Sequence, residues 1–246
     1  MTIDLKDRIA LVTGASRGIG YFTALELAQA GAHVIACART VGGLEELDDA
    51  IKAVGGSATL VPFDITDMAA IDKLGASIFE RWGKLDILVA NAGILGVISP
   101  LAHVEAKVFE RVMNTNVTAM WRLIRSLEPL LVKSDAGRAL LLSSGVATNP
   151  RAFWGAYAMS KAAVETMGRI WAEEMAHTPL KINLVNPGAT RTAMRAQAMP
   201  GEDPQTLPHP SEIAEKILPL MSPDMTQSGK LFVVRENRFV DYRLPE

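Results

Sequence analysis

The chain holds 246 residues, enough for one large α/β domain or two small ones and for a substantial buried core. Its 49% hydrophobic content excludes a disordered protein, and a formal net charge of −2 removes any bulk attraction for nucleic acid or an anionic membrane surface. The lone cysteine, Cys37, excludes an intramolecular disulfide and a cysteine-rich zinc site, and it fits a reducing compartment.

The chain opens Met-Thr-Ile-Asp-Leu-Lys-Asp-Arg, which is charged and lacks the apolar centre of a signal peptide. No apolar run approaches the ~20 residues of a membrane span. The expectation is a cytoplasmic protein without a membrane partner. A short apolar run, Arg8–Thr13, predicts a buried strand ending at glycine. Apolar Ile19, Phe22, Leu25 and Leu27 predict a helix over Gly18–Ala30, stopped by Gly31. Further strands are predicted at His33–Ala38, Ala58–Phe63, Asp86–Ala90, Arg138–Ser144, Lys181–Asn186 and Leu231–Val234. Between them come helices at Leu44–Val54, at Asp67–Trp82 with Asp67 as cap, and at Val104–Lys133, interrupted near Asn114–Thr118. The last two are Gly155–His177 and Ser211–Met221, the latter capped by Ser211.

Strand and helix alternate throughout, and the strands read as continuous Val/Ile/Leu/Ala runs. Both strand faces must then be covered, which predicts a doubly wound parallel α/β sheet of about seven strands with helices on both sides. Nothing divides the chain, so 1–246 is expected to be one domain. Ala189–Pro210, with Pro200, Pro204, Pro208 and Pro210, stands apart as an irregular segment and is expected to be a substrate lid. Its Met194 and Met199 serve either as an adaptable apolar wall or as core filler.

The predicted first strand leads into Thr13-Gly14-Ala15-Ser16-Arg17-Gly18-Ile19-Gly20. Glycines at a strand-to-helix turn let a pyrophosphate approach the backbone amides and the positive helix end. Tyr157 and Lys161 lie four apart on a predicted helix and so share a face. A nearby ammonium favours the phenolate, which would make Tyr157 a usable proton donor and acceptor.

The spacing Thr-Gly-x-x-x-Gly-x-Gly resembles that of the short-chain dehydrogenase/reductase family. Three further elements match in order: Asn91-Ala92-Gly93, Tyr157-Ala158-Met159-Ser160-Lys161 and Asn186-Pro187-Gly188. The resemblance covers nearly the whole chain. It implies a Rossmann-type fold and an oxidoreductase that interconverts a carbonyl and an alcohol with a nicotinamide dinucleotide. An acid after the second strand would bind ribose hydroxyls and repel a 2′-phosphate. This chain has Ala38 then Arg39 there, with Arg17 in the glycine loop, so NADP(H) is the expected cofactor.

By the same resemblance Gly14, Ser16, Arg17, Gly18, Ile19 and Gly20 would hold the cofactor's phosphates. Asp64, with Ile65 beside it, would contact the adenine, although Asp64 equally suits a turn or cap. Asn91, Ala92 and Gly93 would lie against the cofactor, and the family often has Asn where this chain has Ala90. Pro187, Gly188 and Thr192 would flank the nicotinamide, with Thr190 as rival. The implied catalytic set is Asn116, Ser144, Tyr157 and Lys161. Ser144 lies thirteen residues before Tyr157, and strand alternation lets only one of Ser143 and Ser144 face a site. Asn116, with Asn114 as rival, would distort its helix and complete a proton relay through Lys161.

No metal is expected: His33, His103, His177 and His209 are scattered without ligand spacing. Cys37 reads as a buried small hydrophobe, and Phe153 and Trp154 as core or as a substrate entrance. No Gly-x-Ser-x-Gly elbow suggests a hydrolase. The partner would be a small carbonyl or alcohol. The family's Asp-Gly-Gly C-terminal turn is replaced by Gly229-Lys230-Leu231-Phe232-Val233-Val234-Arg235-Glu236 and a charged tail, which weakens the case for a tail-mediated tetramer. Of homodimer and homotetramer, the resemblance implies a homodimer through Val104–Lys133 and Gly155–His177. The competing readings are a non-catalytic NADP(H) sensor on the same fold and a nucleotide-sugar epimerase, for which the C-terminal region is short.

Overall fold

The computed structural model describes residues 3–242, so both ends of the expected 1–246 domain, and the start of the leader reading, lie outside the described residues. One eight-stranded sheet runs β3-β2-β1-β4-β5-β6-β7-β8. The strands are β1 (Ile9–Thr13), β2 (His33–Ala38), β3 (Ser57–Pro62), β4 (Ile87–Ala90), β5 (Arg138–Leu142), β6 (Lys181–Asn186), β7 (Leu231–Val233) and β8 (Arg238–Val240). All neighbours pair parallel except β7 and β8, which pair antiparallel. The helices are α1 (Gly18–Gln29), α2 (Val41–Ala53), α3 (Met68–Trp82), α4 (Ala106–Met113), α5 (Ala119–Val132), α6 (Gly155–Glu174), α7 (Ala193–Ala198) and α8 (Pro210–Ile217).

Side chains alternate across each strand, and that alternation splits the core in two. Ile9, Leu11, Leu88 and Leu141 face the layer of α3, α5 and α6, with Ile71, Leu127 and Trp171. Ala10, Val12, Val34 and Val89 face the layer of α1, α2 and α8, with Leu27, Leu47 and Ile213. These strands are hydrophobic on both faces because both faces are covered. Chain order reverses between β1 and β4, so their carboxyl ends open a crevice where ligands bind in sheets of this kind.

The doubly wound sheet expected from the sequence is present, with four local corrections. An eighth strand forms where the sequence shows only a charged tail; it is three residues long, and Asn237 at φ 49° makes the tight turn that returns it onto β7. Helix α2 begins at Val41 rather than Leu44, since Gly42 and Gly43 hide its first turn from a propensity argument. Helix α8 is capped by His209 rather than Ser211: the His209 ring accepts from Ser211 N at 3.3 Å, Glu212 accepts from His209 N at 2.7 Å, and Pro210 occupies the first turn. The segment 189–210 carries α7 and a short 3₁₀ turn, Pro204–Thr206, where an irregular stretch was expected. Asp67 does cap α3, accepting from Ala70 N at 3.0 Å.

Candidate active site

Loops at the carboxyl ends of the strands enclose a cavity of about 1790 Å³, and nearly all the expected site residues line it. At its floor the β1–α1 loop is braced against the turn after β4. Thr13 Oγ1 accepts from Asn91 N and Ala92 N, both at 3.1 Å, and Asn91 Nδ2 donates to Thr13 O at 2.9 Å. Thr13 was not singled out by sequence, although it begins the glycine motif. A Cβ on Gly20 would lie 2.4 Å from Asn91 Nδ2 and from Gly14 O, so only glycine permits this closure. Gly14 sits at φ 67°, and Arg17 precedes the positive end of α1.

Arg39 and Asp64 share one rim. Arg39 Nη1 stands 3.4 Å from Asp64 Oδ2, and both side chains are about half exposed. Asp64 Oδ1 also accepts from Thr66 N at 2.9 Å and Thr66 Oγ1 at 2.7 Å, so the turn role is present while the residue still lines the cavity. Partial burial would raise the Asp64 carboxyl, but the Thr66 hydrogen bonds, then Arg39, hold it below the usual range.

The opposite wall carries the proposed proton-transfer groups. Ser143 is 3% exposed and donates to Glu165 Oε1 at 2.6 Å, turned into the core. Ser144 lines the cavity beside Tyr157, near enough to favour the phenolate. Tyr157 is 9% exposed; burial pushes it up to about 12, with Ser144 pulling the other way. Lys161 Nζ donates to Leu142 O at 2.6 Å and lies 5.8 Å from the Tyr157 ring centre. Burial lowers Lys161 to about 8, and the Glu165 charge opposes that. The lowering expected from the Lys161 ammonium does not prevail: burial moves the phenol upward and favours its protonated form.

Helix α4 passes into α5 through a π-helical turn, Asn114–Thr118, where an interruption was expected. The extra residue per turn lets Asn116 point inward. It is 1% exposed, accepts from Ile94 N at 2.9 Å, and donates to Ile94 O and Ser160 Oγ, both at 2.9 Å. Asn114, its rival, is exposed. Asn116 braces the chain after Gly93 rather than lining the cavity, yet a Cβ on Gly93 would meet both Asn116 Oδ1 at 3.3 Å and Lys161 Nζ at 3.6 Å.

Pro187, Gly188, Thr190 and Thr192 line the remaining wall. Thr192 Oγ1 accepts from Arg195 N at 3.2 Å and caps α7, while its methyl group faces Gly18. From α7, Gln197 Nε2 reaches Gly96 O at 3.3 Å across the cavity mouth. Trp154 packs against Tyr157 and Met194 against the small cluster that includes it, and both line the cavity, whereas Met199 and Phe153 are exposed. Sequence reasoning also missed Arg191, whose Nε is buried on this wall without a hydrogen-bond partner, and Glu165. Glu165 was legible in principle, since it follows Tyr157 and Lys161 at the same four-residue spacing.

Among the described residues no group of three or more His, Cys, Asp or Glu side chains is arranged to hold a metal, and no helix is long and apolar enough to cross a membrane. Cys37 is buried, and burial pushes its thiol well up.

A sequence profile described as short chain dehydrogenase matches residues 8–203. An uncharacterized oxidoreductase of Escherichia coli K12, YciK, is 41% identical over 238 residues, 95% of this chain and 94% of that one. A chain from Shigella flexneri 2a str. 301, solved in complex with NADP, superimposes with a TM-score of 0.91 at 39% identity, covering 96% of this chain and 100% of that one. One from Escherichia coli CFT073, solved in complex with NADPH, gives 0.91 at 39% identity, covering 96% and 99%.

Proposed function

The chain belongs to the short-chain dehydrogenase family, and on that premise we propose that it is an NADP(H)-dependent oxidoreductase interconverting a carbonyl and an alcohol, with Tyr157 as general acid/base. What carries the reading is the convergence, on one cavity at the β1/β4 switch point, of a side-chain-free glycine loop and a phenol flanked by Ser144.

The residues present fit the dinucleotide. The glycine loop would receive its pyrophosphate through Gly14, Ser16, Gly18, Ile19 and Gly20 at the start of α1. Arg17 and Arg39 would take the 2′-phosphate, and Ala38 leaves no acid to repel it. The half-exposed Arg39–Asp64 pair is worth at most ~1 kcal/mol, so a phosphate can compete for Arg39. Asp64 and Ile65 would border the adenine, Asn91, Ala92 and Gly93 the neighbouring ribose, and Pro187, Gly188 and Thr192 the nicotinamide. Lys161 would hold the nicotinamide ribose. The bound nicotinamide supplies or accepts the hydride.

The chain's own groups manage the oxygen and its proton. Ser144 orients the substrate oxygen and stabilises charge developing on it. Tyr157, kept protonated by its burial, donates its proton to that oxygen during reduction and recovers it in the reverse direction. Lys161 supplies positive charge beside the phenolate, and Asn116 fixes the chain beneath Gly93 so that the relay keeps its geometry. Within a single domain, 189–210 serves as the substrate lid, with Met194 and Trp154 as an apolar wall. The lone buried Cys37 suits a cytoplasmic setting.

The test follows NADPH absorbance over a panel of ketones, aldehydes, sugars and acyl thioesters. Wild type is expected to oxidise NADPH with at least one class, and Tyr157→Phe to lose turnover by three orders of magnitude or more, roughly, while binding NADPH normally. Retained turnover in Tyr157→Phe would remove the phenol from its role, and an inert wild type that still binds NADPH would leave a sensor.

A further inference from the structure

Helix α6 carries its catalytic face one turn beyond Lys161, to Glu165. This carboxylate is 4% exposed, and burying an ionised group without compensation costs several kcal/mol or more. It is compensated from three sides. Ser143, next to the substrate-orienting Ser144 at the end of β5, donates to its Oε1 at 2.6 Å. Tyr242, just after β8, buries its hydroxyl beside Glu165, near enough to perturb it though without a fully formed hydrogen bond. On α6 itself, Arg169 stacks 4.3 Å over the Tyr242 ring and Lys161 lies one turn earlier, and both charges favour the carboxylate. Burial pulls the other way and raises Glu165. No step of the reaction described above uses this group.

We propose that Glu165 is a positioning residue, a buried carboxylate fastened by Ser143 that keeps Lys161 as an ammonium beside Tyr157. The inference rests on the role given to Lys161 in the preceding section. Lys161 donates to a carbonyl, Leu142 O, which carries no net charge, and Tyr157 is itself neutral. Glu165, one turn along α6 and buried with it, is the carboxylate whose charge acts on Lys161, and its loss would leave an almost wholly buried ammonium with only dipoles for company. Through Ser143 the same carboxylate also fixes the chain at Ser144.

The test reads Lys161 directly, by NMR of the full-length, cofactor-free protein carrying ¹³C-labelled lysine side chains, with the resonance assigned by its absence in Lys161→Met. In wild type the ammonium should titrate near 8. In Glu165→Gln, which keeps the acceptor for Ser143 and removes the charge, the midpoint should fall by about one pH unit or more. The alkaline limb of kcat should move down with it, and Glu165→Asp should recover most of both shifts. An unmoved Lys161 midpoint in Glu165→Gln overturns the proposal. Should Glu165→Gln fail to fold, ¹³C-labelled glutamate in the wild type decides: ionisation of Glu165 at pH 7, assigned with Glu165→Asp, supports the proposal, and a carboxylic acid at pH 7 overturns it. A wild type inert toward every carbonyl would defeat the functional reading, while the lysine midpoints would still judge this one.

Discussion

The proposed preference for NADP(H) turns on Arg39. It stands on the cavity rim in a loose pair with Asp64, available to an incoming phosphate. Arg39→Asp should weaken NADPH by about ten- to a hundredfold, the worth of a hydrogen bond to a charged group, and leave NADH nearly unchanged; equal weakening of both in fluorescence titrations would end the assignment. The pH response follows from Lys161 and Tyr157 together. Lys161 loses its proton as pH rises through about 8, whereas Tyr157 keeps its own until about 12. Carbonyl reduction should therefore decline on the alkaline side above about pH 8, with lysine and not tyrosine setting the limit. A rate profile flat to pH 10 would contradict this. The two serines differ in what their hydroxyls meet: Ser143 is tied to the buried Glu165, a partner that strand alternation alone could not name, and Ser144 is left on the cavity lining. The phenol's upward shift was not legible in sequence, because spacing reports which groups are near and says nothing of how dry they are.

At the scale of elements, the glycine loop and the turn after β4 form one locked piece. Gly20→Ala would place a methyl group 2.4 Å from Gly14 O, a backbone atom that cannot swing aside. The loop must open, and NADPH affinity should fall by an order of magnitude or more while the far-ultraviolet dichroism stays unchanged. Affinity equal to wild type would show the brace to be dispensable. Asp67→Ala removes the α3 cap and should cost ~1 kcal/mol, read as a melting midpoint lower by roughly 2–4 °C for a chain of this size. The periodic elements, the Asp67 cap and the break in the long helix before α5 could all be read from the sequence. The break was legible because Asn114-Thr115-Asn116-Val117-Thr118 gathers poor helix formers. The start of α2 and the cap of α8 were not: glycines and a histidine are weak signals whose roles depend on what packs beside them, Ser16 in the first case and Glu212 in the second.

At the scale of the whole molecule, an apolar groove lies between α5 and α6. Trp121 on α5 and Ile170 on α6 are 46% and 54% exposed and border it with Ile124, Ala163, Met167 and Trp171. Isolated exposed apolar residues are ordinary, but a contiguous group is a mark of association. The expected homodimer through these helices would cover it, and the paired change Trp121→Glu with Ile170→Glu should yield a monomer by light scattering. An unchanged mass would place any contact elsewhere. Sequence periodicity located these helices but could not say which apolar residues the sheet leaves uncovered.

The short return of the chain onto β7 bears on the edge of the sheet. A terminal parallel strand displays unmet backbone donors and acceptors that can recruit stray segments of other chains. Here Arg238–Val240 satisfies that row for Leu231, Phe232 and Val233, and what it offers outward is three residues beginning with an arginine. Stopping translation after Glu236 would expose the row again on a strand whose first two residues are deeply buried. Such a chain should therefore precipitate as it emerges even though every cavity-lining residue is still in place.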